Sequence, residues 1–151
     1  MKCYFDDFIV NYNECDNGYI DDLISYFNNY KKIIFDFFGI EGLSKMLIIN
    51  IYDDIYKYAL YRNNLSDSSV GNMDFDDANY YLNILSYKEF IKRKGHQNVG
   101  LEYMFKTIVH EFVHICHEEV GSYSDSLIWV KEGIAIFLSN QYDGLNYKID
   151  N

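Results

Sequence analysis

The chain contains no proline, only nine glycines, and no tract enriched in serine, glycine or proline. Such tracts, or a low apolar content, are typical of disordered chains. Here 49% of the residues are apolar and 19% are aromatic, which is ample material for a hydrophobic core. A length of 151 residues is sufficient for one domain and short for two. We therefore predict a single globular domain over residues 1–151.

Positive charge is also scarce, because 13 lysines and arginines stand against 23 aspartates and glutamates, a net charge of −10. Proteins that bind nucleic acid concentrate Lys and Arg against the phosphates, so this balance argues against a nucleic-acid partner. An acidic surface also repels anionic lipid. The basic cluster of residues 92–94, preceded by Lys88, is better explained by cations at the C-terminal end of a helix than by a phosphate-binding patch.

Cysteines and long apolar runs are few as well. Cys3, Cys15 and Cys116 are odd in number and irregularly spaced, which excludes the framework of a disulfide-rich secreted domain. Free thiols are the simpler expectation, with Cys116 as a small buried side chain. No apolar run reaches the roughly 20 residues that span a bilayer, and residues 1–7 lack the apolar core of a signal peptide. The sequence therefore predicts a cytoplasmic protein without a membrane partner.

Apolar periodicity predicts an α+β fold, with a mixed amino-terminal half followed by two helices. Apolar residues three and four positions apart predict a helix over Asp21–Phe38, ended by Gly39. The other expected elements are strands at residues 4–12, 46–51 and 80–86, helices at residues 52–62, 86–94, 101–119 and 127–142, and a loop at residues 63–77. The helix over residues 86–94 is expected to begin with a capping box between Ser86 and Glu89.

The helix predicted over residues 101–119 carries the sequence His-Glu-Phe-Val-His at positions 110–114, an HExxH motif. At about 100° per residue, positions four apart return to one face, about 6 Å along the helix axis. Two imidazoles so placed, His110 and His114, can bind one zinc ion, and the glutamate beside them is not a ligand. Glu111 is therefore predicted as the general base that takes a proton from zinc-activated water. This pattern is typical of zinc-dependent hydrolases.

The residues around the motif are apolar: Ile108, Val109, Phe112, Val113, Ile115 and Cys116. A helix that is apolar on nearly every side is buried. Two histidines and a glutamate in such a helix would be buried polar groups, which are unfavourable without partners. Metal coordination removes this difficulty, so the surroundings favour a metal site over two histidines on an exposed helix face.

Downstream, residues 129–135 read Trp-Val-Lys-Glu-Gly-Ile-Ala. This segment, following an HExxH motif, resembles the WxxEGxA segment of gluzincin-type zinc metallopeptidases, and the resemblance covers roughly residues 101–141. It implies Zn²⁺ as cofactor, with two histidine ligands, a glutamate ligand and a general base: His110, His114, Glu132 and Glu111. It also implies a zincin-like fold, in which a small mixed sheet and a backing helix precede the active-site helix and a glutamate helix. The small residues Gly133 and Ala135 would let the glutamate helix pack closely under the active-site helix.

Other polar residues near the motif have competing interpretations. His117 lies too far along one straight helix from His110 to share an ion with both motif histidines, so we expect it behind the ligands or facing solvent. Glu119 is expected as a surface carboxylate at the helix end. His96 is interpreted as a plain loop histidine rather than a residue at the mouth of the site. Asp125 is a candidate for orienting a ligand imidazole.

The leading hypothesis is a zinc-dependent peptidase acting on peptides or proteins, in which zinc and Glu111 activate water against a peptide carbonyl. Only nine residues follow Tyr142, fewer than the helical subdomain that supplies an oxyanion-stabilising Tyr or His in larger family members. Tyr142 is the first candidate for that role, ahead of Tyr123 and Tyr147. Two alternatives stay open: a zincin-fold binding module with weak or no turnover, and a zinc hydrolase of a non-peptide amide. An edge strand near residues 80–86 would favour peptides, because an extended substrate can add to it.

Overall fold

The fold is a mixed α+β arrangement, which confirms the predicted class. The computed structural model describes residues 1–60, 66, 68–121 and 126–141, and within these ranges it contains five strands and five α-helices. The strands are β1 (Lys2–Tyr4), β2 (Phe8–Asn11), β3 (Met46–Tyr52), β4 (Gly71–Phe75) and β5 (Asn79–Leu85). The helices are α1 (Ile20–Phe38), α2 (Ile55–Ala59), α3 (Tyr87–Phe90), α4 (Leu101–Glu119) and α5 (Ile128–Leu138), and a 3₁₀ turn covers Glu14–Asp16.

The strands form one mixed sheet in the order β1-β2-β3-β5-β4. The central strands β2, β3 and β5 are parallel, whereas β1 and β4 pair antiparallel at the two edges. Alternate residues of β3 are buried on one face of the sheet, at Leu47, Ile49 and Ile51. The long helices cover this face: the ring of Phe8 on β2 meets that of Phe27 on α1 with 5.3 Å between centroids. The short helix α2 lies against the opposite face.

Helix α4 lies in the middle of the molecule, packed against α1, α5, β4 and β5. Phe112 is fully buried at its centre, with ring centroids 4.9 Å from Phe27 and 5.6 Å from Phe35. Aromatic rings in such edge and tilted contacts contribute strongly to a core. Because the same helix carries His110 and His114, the packing of Phe112 sets where the two imidazoles lie.

Replacing Phe112 with alanine is expected to lower the free energy of unfolding by about 3–5 kcal/mol, because the change removes a fully buried ring and leaves a cavity. Urea denaturation of the variant and the wild type measures the difference. The matched control is Phe37→Ala on α1, whose ring is 53% exposed. That change is expected to alter the same free energy by about 0.5 kcal/mol or less. Equal losses in the two variants would contradict the packing described for Phe112.

The long helices lie where periodicity predicted them. Gly39 ends α1 with a φ of 67°, and Gly121 follows α4 with a φ of 74°, both in the left-handed conformation that glycine adopts without strain. Strand β3 covers the predicted strand and adds Tyr52, and α5 lies within the helix predicted over residues 127–142. These elements have strong periodic patterns and clear stop signals, which is why sequence located them.

Two elements of the amino-terminal half differ from the prediction. The strand predicted over residues 4–12 is in fact two antiparallel strands, because the chain bends at Asp6–Asp7 between β1 and β2. The helix predicted over residues 52–62 is the shorter α2. Asp54 begins it, with a side chain that accepts hydrogen bonds from the backbone N–H groups two and three residues later.

The helix predicted over residues 86–94 is reduced to the single turn of α3. The predicted capping box is wrong, since the Ser86 side chain makes no cap hydrogen bond within the described residues and Glu89 pairs with Lys92 instead. Ser86 is held by its backbone, whose N–H donates to the carbonyl of Tyr52 at 2.8 Å. Its role is therefore to join β5 to α3 rather than to start a long helix.

The segment predicted as a loop over residues 63–77 contains strand β4, which pairs antiparallel with β5 along its whole length. Its sequence, Gly-Asn-Met-Asp-Phe, is rich in residues that are depleted in strands, so local propensity favoured a loop and the pairing with β5 overrode it. The presence of β4 also changes which strand lies at the edge of the sheet. The strand predicted near residues 80–86 is β5, which lies between β3 and β4 rather than at an edge, and β4 forms the edge on this side of the sheet.

The cysteines agree with the sequence prediction. All three are free thiols, and Cys116 is fully buried in α4, where burial raises the pKa of its thiol. Among the described residues, no helix combines the length and apolar character needed to cross a bilayer.

Candidate metal centre

Helices α4 and α5 bring three potential metal ligands together. His110 and His114 lie one turn apart on α4, and their Nε2 atoms are 3.1 Å apart. Glu132 reaches them from α5: one carboxylate oxygen lies 3.2 Å from Nε2 of His110, and the other lies 3.4 Å from Nε2 of His114. One ligand atom from each of the three residues lies within 4.8 Å of the others. Such a group can hold a metal ion.

The two histidines of this group are buried, which is unusual for polar side chains. Helix α4 is buried on nearly every side, as predicted, and the side chains of His110 and His114 are only 12% and 5% exposed. Glu132 is 48% exposed and forms the side of the group that is open to solvent. Two imidazoles and one carboxylate form a donor set that is suited to zinc, so the residues present fit the predicted cofactor.

His110, His114 and Glu132 alter one another's pKa values. Burial alone would lower the pKa of His110, but the hydrogen bond to the Glu132 carboxylate and the negative charges of Glu111 and Glu132 raise it above its usual value. Burial and the neighbouring His110 lower the pKa of His114 to about 4. The hydrogen bond with His110 holds the pKa of Glu132 below its usual value, although burial opposes this. Without metal, His110 therefore keeps its proton to a higher pH than a free imidazole does, paired with the Glu132 carboxylate, whereas His114 is neutral well below neutral pH.

Zinc affinity is therefore expected to rise with pH, because one proton is released when the ion binds. A ligand imidazole must be neutral, so binding displaces the proton of His110 at any pH below its raised pKa. His114 adds no second proton until the pH approaches about 4. Between about pH 5 and the pKa of His110, affinity should fall about tenfold per pH unit as pH decreases. Competition with a chelator of known pH dependence measures this slope. A hundredfold change per unit, or no change, would contradict the assignment.

Glu111 lies on the same helix beside the three potential ligands. Together with His110, His114 and Glu132, it lines a cleft of about 190 Å³ whose other wall is Gly71, Asn72 and Met73 of β4. The backbone of Gly71 approaches α4 closely. A β-carbon built on it would lie 3.2 Å from Cγ2 of Thr107 and 3.4 Å from Cγ of Glu111. A larger residue at this position would therefore press on Glu111.

The edge strand β4 presents backbone groups at this cleft. The N–H of Leu85 donates to the carbonyl of Val70 at 2.9 Å, and the N–H of Asp76 donates to the carbonyl of Asn79 at 3.0 Å. In an antiparallel pair, residues alternate between those that bond the neighbour and those that face away from it. The even-numbered residues of β4 therefore bond β5, whereas Gly71 and Met73 direct their backbone N–H and C=O groups to the outer edge of the sheet, which no other described strand covers.

Gln141, just after α5, was not identified from sequence. Its Nε2 donates to Oγ1 of Thr107 at 3.2 Å, one turn before His110 on α4, and that hydroxyl donates to the carbonyl of Tyr103 at 2.9 Å. The side chain thus ties the end of the glutamate helix to the histidine helix. No pattern in the sequence marks a glutamine at this distance from Glu132. Gly71 was not identified either, because local propensity predicted a loop where β4 lies.

His117 is buried rather than exposed. It is 4% exposed, its Nε2 lies 3.2 Å from Oγ of Ser126, and its ring centroid is 5.7 Å from that of Phe38. The prediction that it faces solvent is therefore wrong, and the prediction that it does not join the group of possible ligands agrees with its position. It supports the carboxyl end of α4 from within the core.

Two further polar residues have structural roles. Glu119 accepts hydrogen bonds from the N–H and the hydroxyl of Ser44, at 3.0 and 2.9 Å, and from the hydroxyl of Tyr80 at 2.8 Å. It is therefore an anchor between α4 and the sheet rather than a plain surface carboxylate. His96 packs its ring 5.0 Å from Phe90, and burial lowers the pKa of its imidazole. Four other candidates, Tyr123, Asp125, Tyr142 and Tyr147, lie outside the described residues.

The outer side of α5 is apolar and open. Trp129 and Phe137 lie four residues on either side of Gly133 and are 71% and 65% exposed. A β-carbon on Gly133 would meet no atom within 4 Å in the part of the chain that the structure describes, so its small size does not serve packing under α4. Ala135 does, since it is fully buried. The prediction of close helix packing therefore holds for Ala135 and is wrong for Gly133.

Comparisons with known proteins place no family name on this arrangement. No protein-family model, no curated protein and no solved structure matches the chain significantly.

Proposed function

We propose that the chain is a zinc-dependent peptidase of minimal gluzincin type with a zincin-like fold. The observation that carries the proposal is the convergence of His110, His114 and Glu132, from two helices, within hydrogen-bonding distance of one another. A mixed sheet and a backing helix, followed by a histidine helix and a glutamate helix, form the arrangement that the resemblance to gluzincins leads one to expect. The donor set and its burial both favour a divalent cation.

His110, His114 and Glu132 would hold the zinc ion. When bound, zinc supplies Lewis acidity, which acidifies water and polarises a substrate carbonyl. The protein's own contribution is to aim both imidazoles at one point. The buried packing of α4 does this by allowing the two rings little freedom to turn.

Glu111 is the proposed general base. It lies in the cleft beside the three ligands, with its side chain under the backbone of Gly71. From there its carboxylate can take a proton from the attacking water and deliver it to the nitrogen of the leaving amine. The Glu111 carboxylate lies next to the three proposed ligands, and we do not assign it as a ligand. It can therefore act as a proton acceptor.

A peptide is the substrate class that the cleft favours. Gly71 and Met73 direct backbone N–H and C=O groups to the open edge of the sheet, and an extended chain can add to such an edge as a further strand. This geometry would lay a peptide along β4, next to Glu111. A non-peptide amide could use the same zinc chemistry but has no backbone to pair with β4.

Zinc content and chelator-sensitive cleavage of an unstructured protein, such as casein, test the proposal together. We expect close to one zinc ion per chain and cleavage that stops with chelator and returns with added zinc. Zinc without cleavage of casein or of a peptide library would favour a binding module. Cleavage of small amides alone would favour the non-peptide hydrolase. Protein prepared with zinc present that retains none of it would refute the metal site itself.

A further inference from the structure

A row of asparagines crosses the sheet on the face away from α4. Its members, Asn11, Asn50, Asn83 and Asn72, occupy paired positions on β2, β3, β5 and β4. Each side-chain amide donates to the next carbonyl along the row, at 2.7, 3.0 and 3.2 Å in that order. This asparagine row therefore links four strands by hydrogen bonds that all run in one direction, towards β4.

The asparagine row ends beneath α2. Nδ2 of Asn72 donates to the hydroxyl of Tyr58 at 3.1 Å, and that hydroxyl lies 3.0 Å from Oγ of Ser69. Tyr58 is fully buried, and Asn72 and Asn83 are 5% and 2% exposed. A slip of β4 by one residue would turn Asn72 to the other face and break its buried hydrogen bonds to Asn83 and Tyr58, which is unfavourable. The bond between Asn72 and Tyr58 therefore specifies one position for β4.

Strand β4 needs an additional contact that fixes its position. Glycine, asparagine and aspartate, which are depleted in strands, make up most of its sequence, and β5 is its one neighbour among the described strands. Yet its fit over α4 is close, since a β-carbon on Gly71 would lie 3.4 Å from Cγ of Glu111. A shift towards α4 would crowd Glu111, and a shift away would widen the cleft. Besides its pairing with β5, β4 is held from the opposite face of the sheet, where Asn72 points.

We propose that Asn72 and Tyr58 are positioning residues for the peptide-binding edge of β4. They hold the backbone of Gly71 and Met73 at a fixed distance from Glu111, so that a bound peptide lies in reach of the general base. The effect on peptide binding rests on the proposed function. The position of β4, which produces that effect, is a property of the fold. Their side chains meet on the face of the sheet away from α4, so zinc affinity is expected to stay unchanged when either residue is replaced.

Three variants of the full, zinc-loaded chain test this. Tyr58→Phe removes one hydroxyl and keeps the ring, whereas Asn72→Leu removes the amide at similar volume. Asn50→Leu is the matched control, because it breaks the same asparagine row between β2, β3 and β5, away from the cleft. For a peptide substrate, we expect KM to rise about tenfold in the first two variants with kcat changed less than about threefold. In Asn50→Leu the melting temperature falls but KM stays within about twofold, and zinc affinity is unchanged in all three.

Amide hydrogen exchange separates this inference from the proposed function. The N–H groups of Asn72 and Asp74, which bond β5, are expected to exchange about tenfold faster in Tyr58→Phe than in the wild type, and no faster in Asn50→Leu. If the zinc-loaded wild type neither binds nor cleaves peptides, the proposed function fails, and the exchange rates alone decide whether Tyr58 positions β4. Equal increases in KM for Tyr58→Phe and Asn50→Leu, or unchanged exchange at Asn72 and Asp74, would overturn the inference.

Discussion

Replacing Glu111 with glutamine is expected to lower kcat for peptide hydrolysis by about 100- to 10,000-fold, the range typical of a lost general base. Glutamine has nearly the same shape but cannot take a proton from water. Because Glu111 lies beside the three potential ligands and is not one of them, the variant should bind zinc with the affinity of the wild type. Steady-state kinetics and a chelator competition on the same preparation measure the two quantities.

Glu102→Gln is the matched control for this variant. It makes the same substitution on the same helix, at a side chain that is 70% exposed and paired with Lys106 at 3.4 Å. Its activity should equal that of the wild type. Zinc affinity that falls along with activity in Glu111→Gln would identify Glu111 as a ligand and remove it as the base. Full activity in Glu111→Gln would exclude the mechanism.

Loss of a ligand is expected to have the largest effect on metal content. His114→Ala and Glu132→Ala should each weaken zinc binding by more than about 100-fold, because even changes to the outer partners of a zinc ligand weaken binding by about 10- to 100-fold. Activity should disappear with the metal. Metal analysis after dialysis against a weak chelator, together with calorimetric titration of the metal-free protein, measures the loss.

The control for these variants is His96→Ala, which removes a histidine that packs against Phe90 outside the group of possible ligands. Its zinc affinity should match that of the wild type. Circular dichroism must show that each variant is folded, because His114 is buried in α4. If Glu132→Ala kept full zinc affinity, the third ligand would have to be another residue, and the resemblance to gluzincins would fail at its most informative position.

Sequence could predict the elements and residues that are set by local pattern. The spacing of His110 and His114 follows from helix geometry alone, and the apolar residues around them imply burial, which the structure confirms for α4. The proximity of Glu132 could not be derived in this way. It came from a resemblance, and the structure brings the side chain to the two imidazoles. That the three bind zinc remains a prediction.

Sequence could not predict what depends on pairing between distant segments. Strand β4 lacks strand propensity, and it is held by its pairing with β5 and by the hydrogen bond from Asn72 to Tyr58. The close approach of Gly71 to α4 is likewise invisible without the sheet order. The wall of the cleft opposite Glu111 was therefore missed, although the wall formed by α4 was predicted residue by residue.

The exposure of Trp129 has a practical consequence for optical measurement. It is the single tryptophan of the chain, it is 71% exposed, and it lies three residues before Glu132 on α5. Indole emission from the unlabelled protein thus comes from one known position, close to where a cation or a peptide would enter. Quenching or a spectral shift on titration would report events at this helix directly, with the tyrosines contributing only at shorter wavelengths.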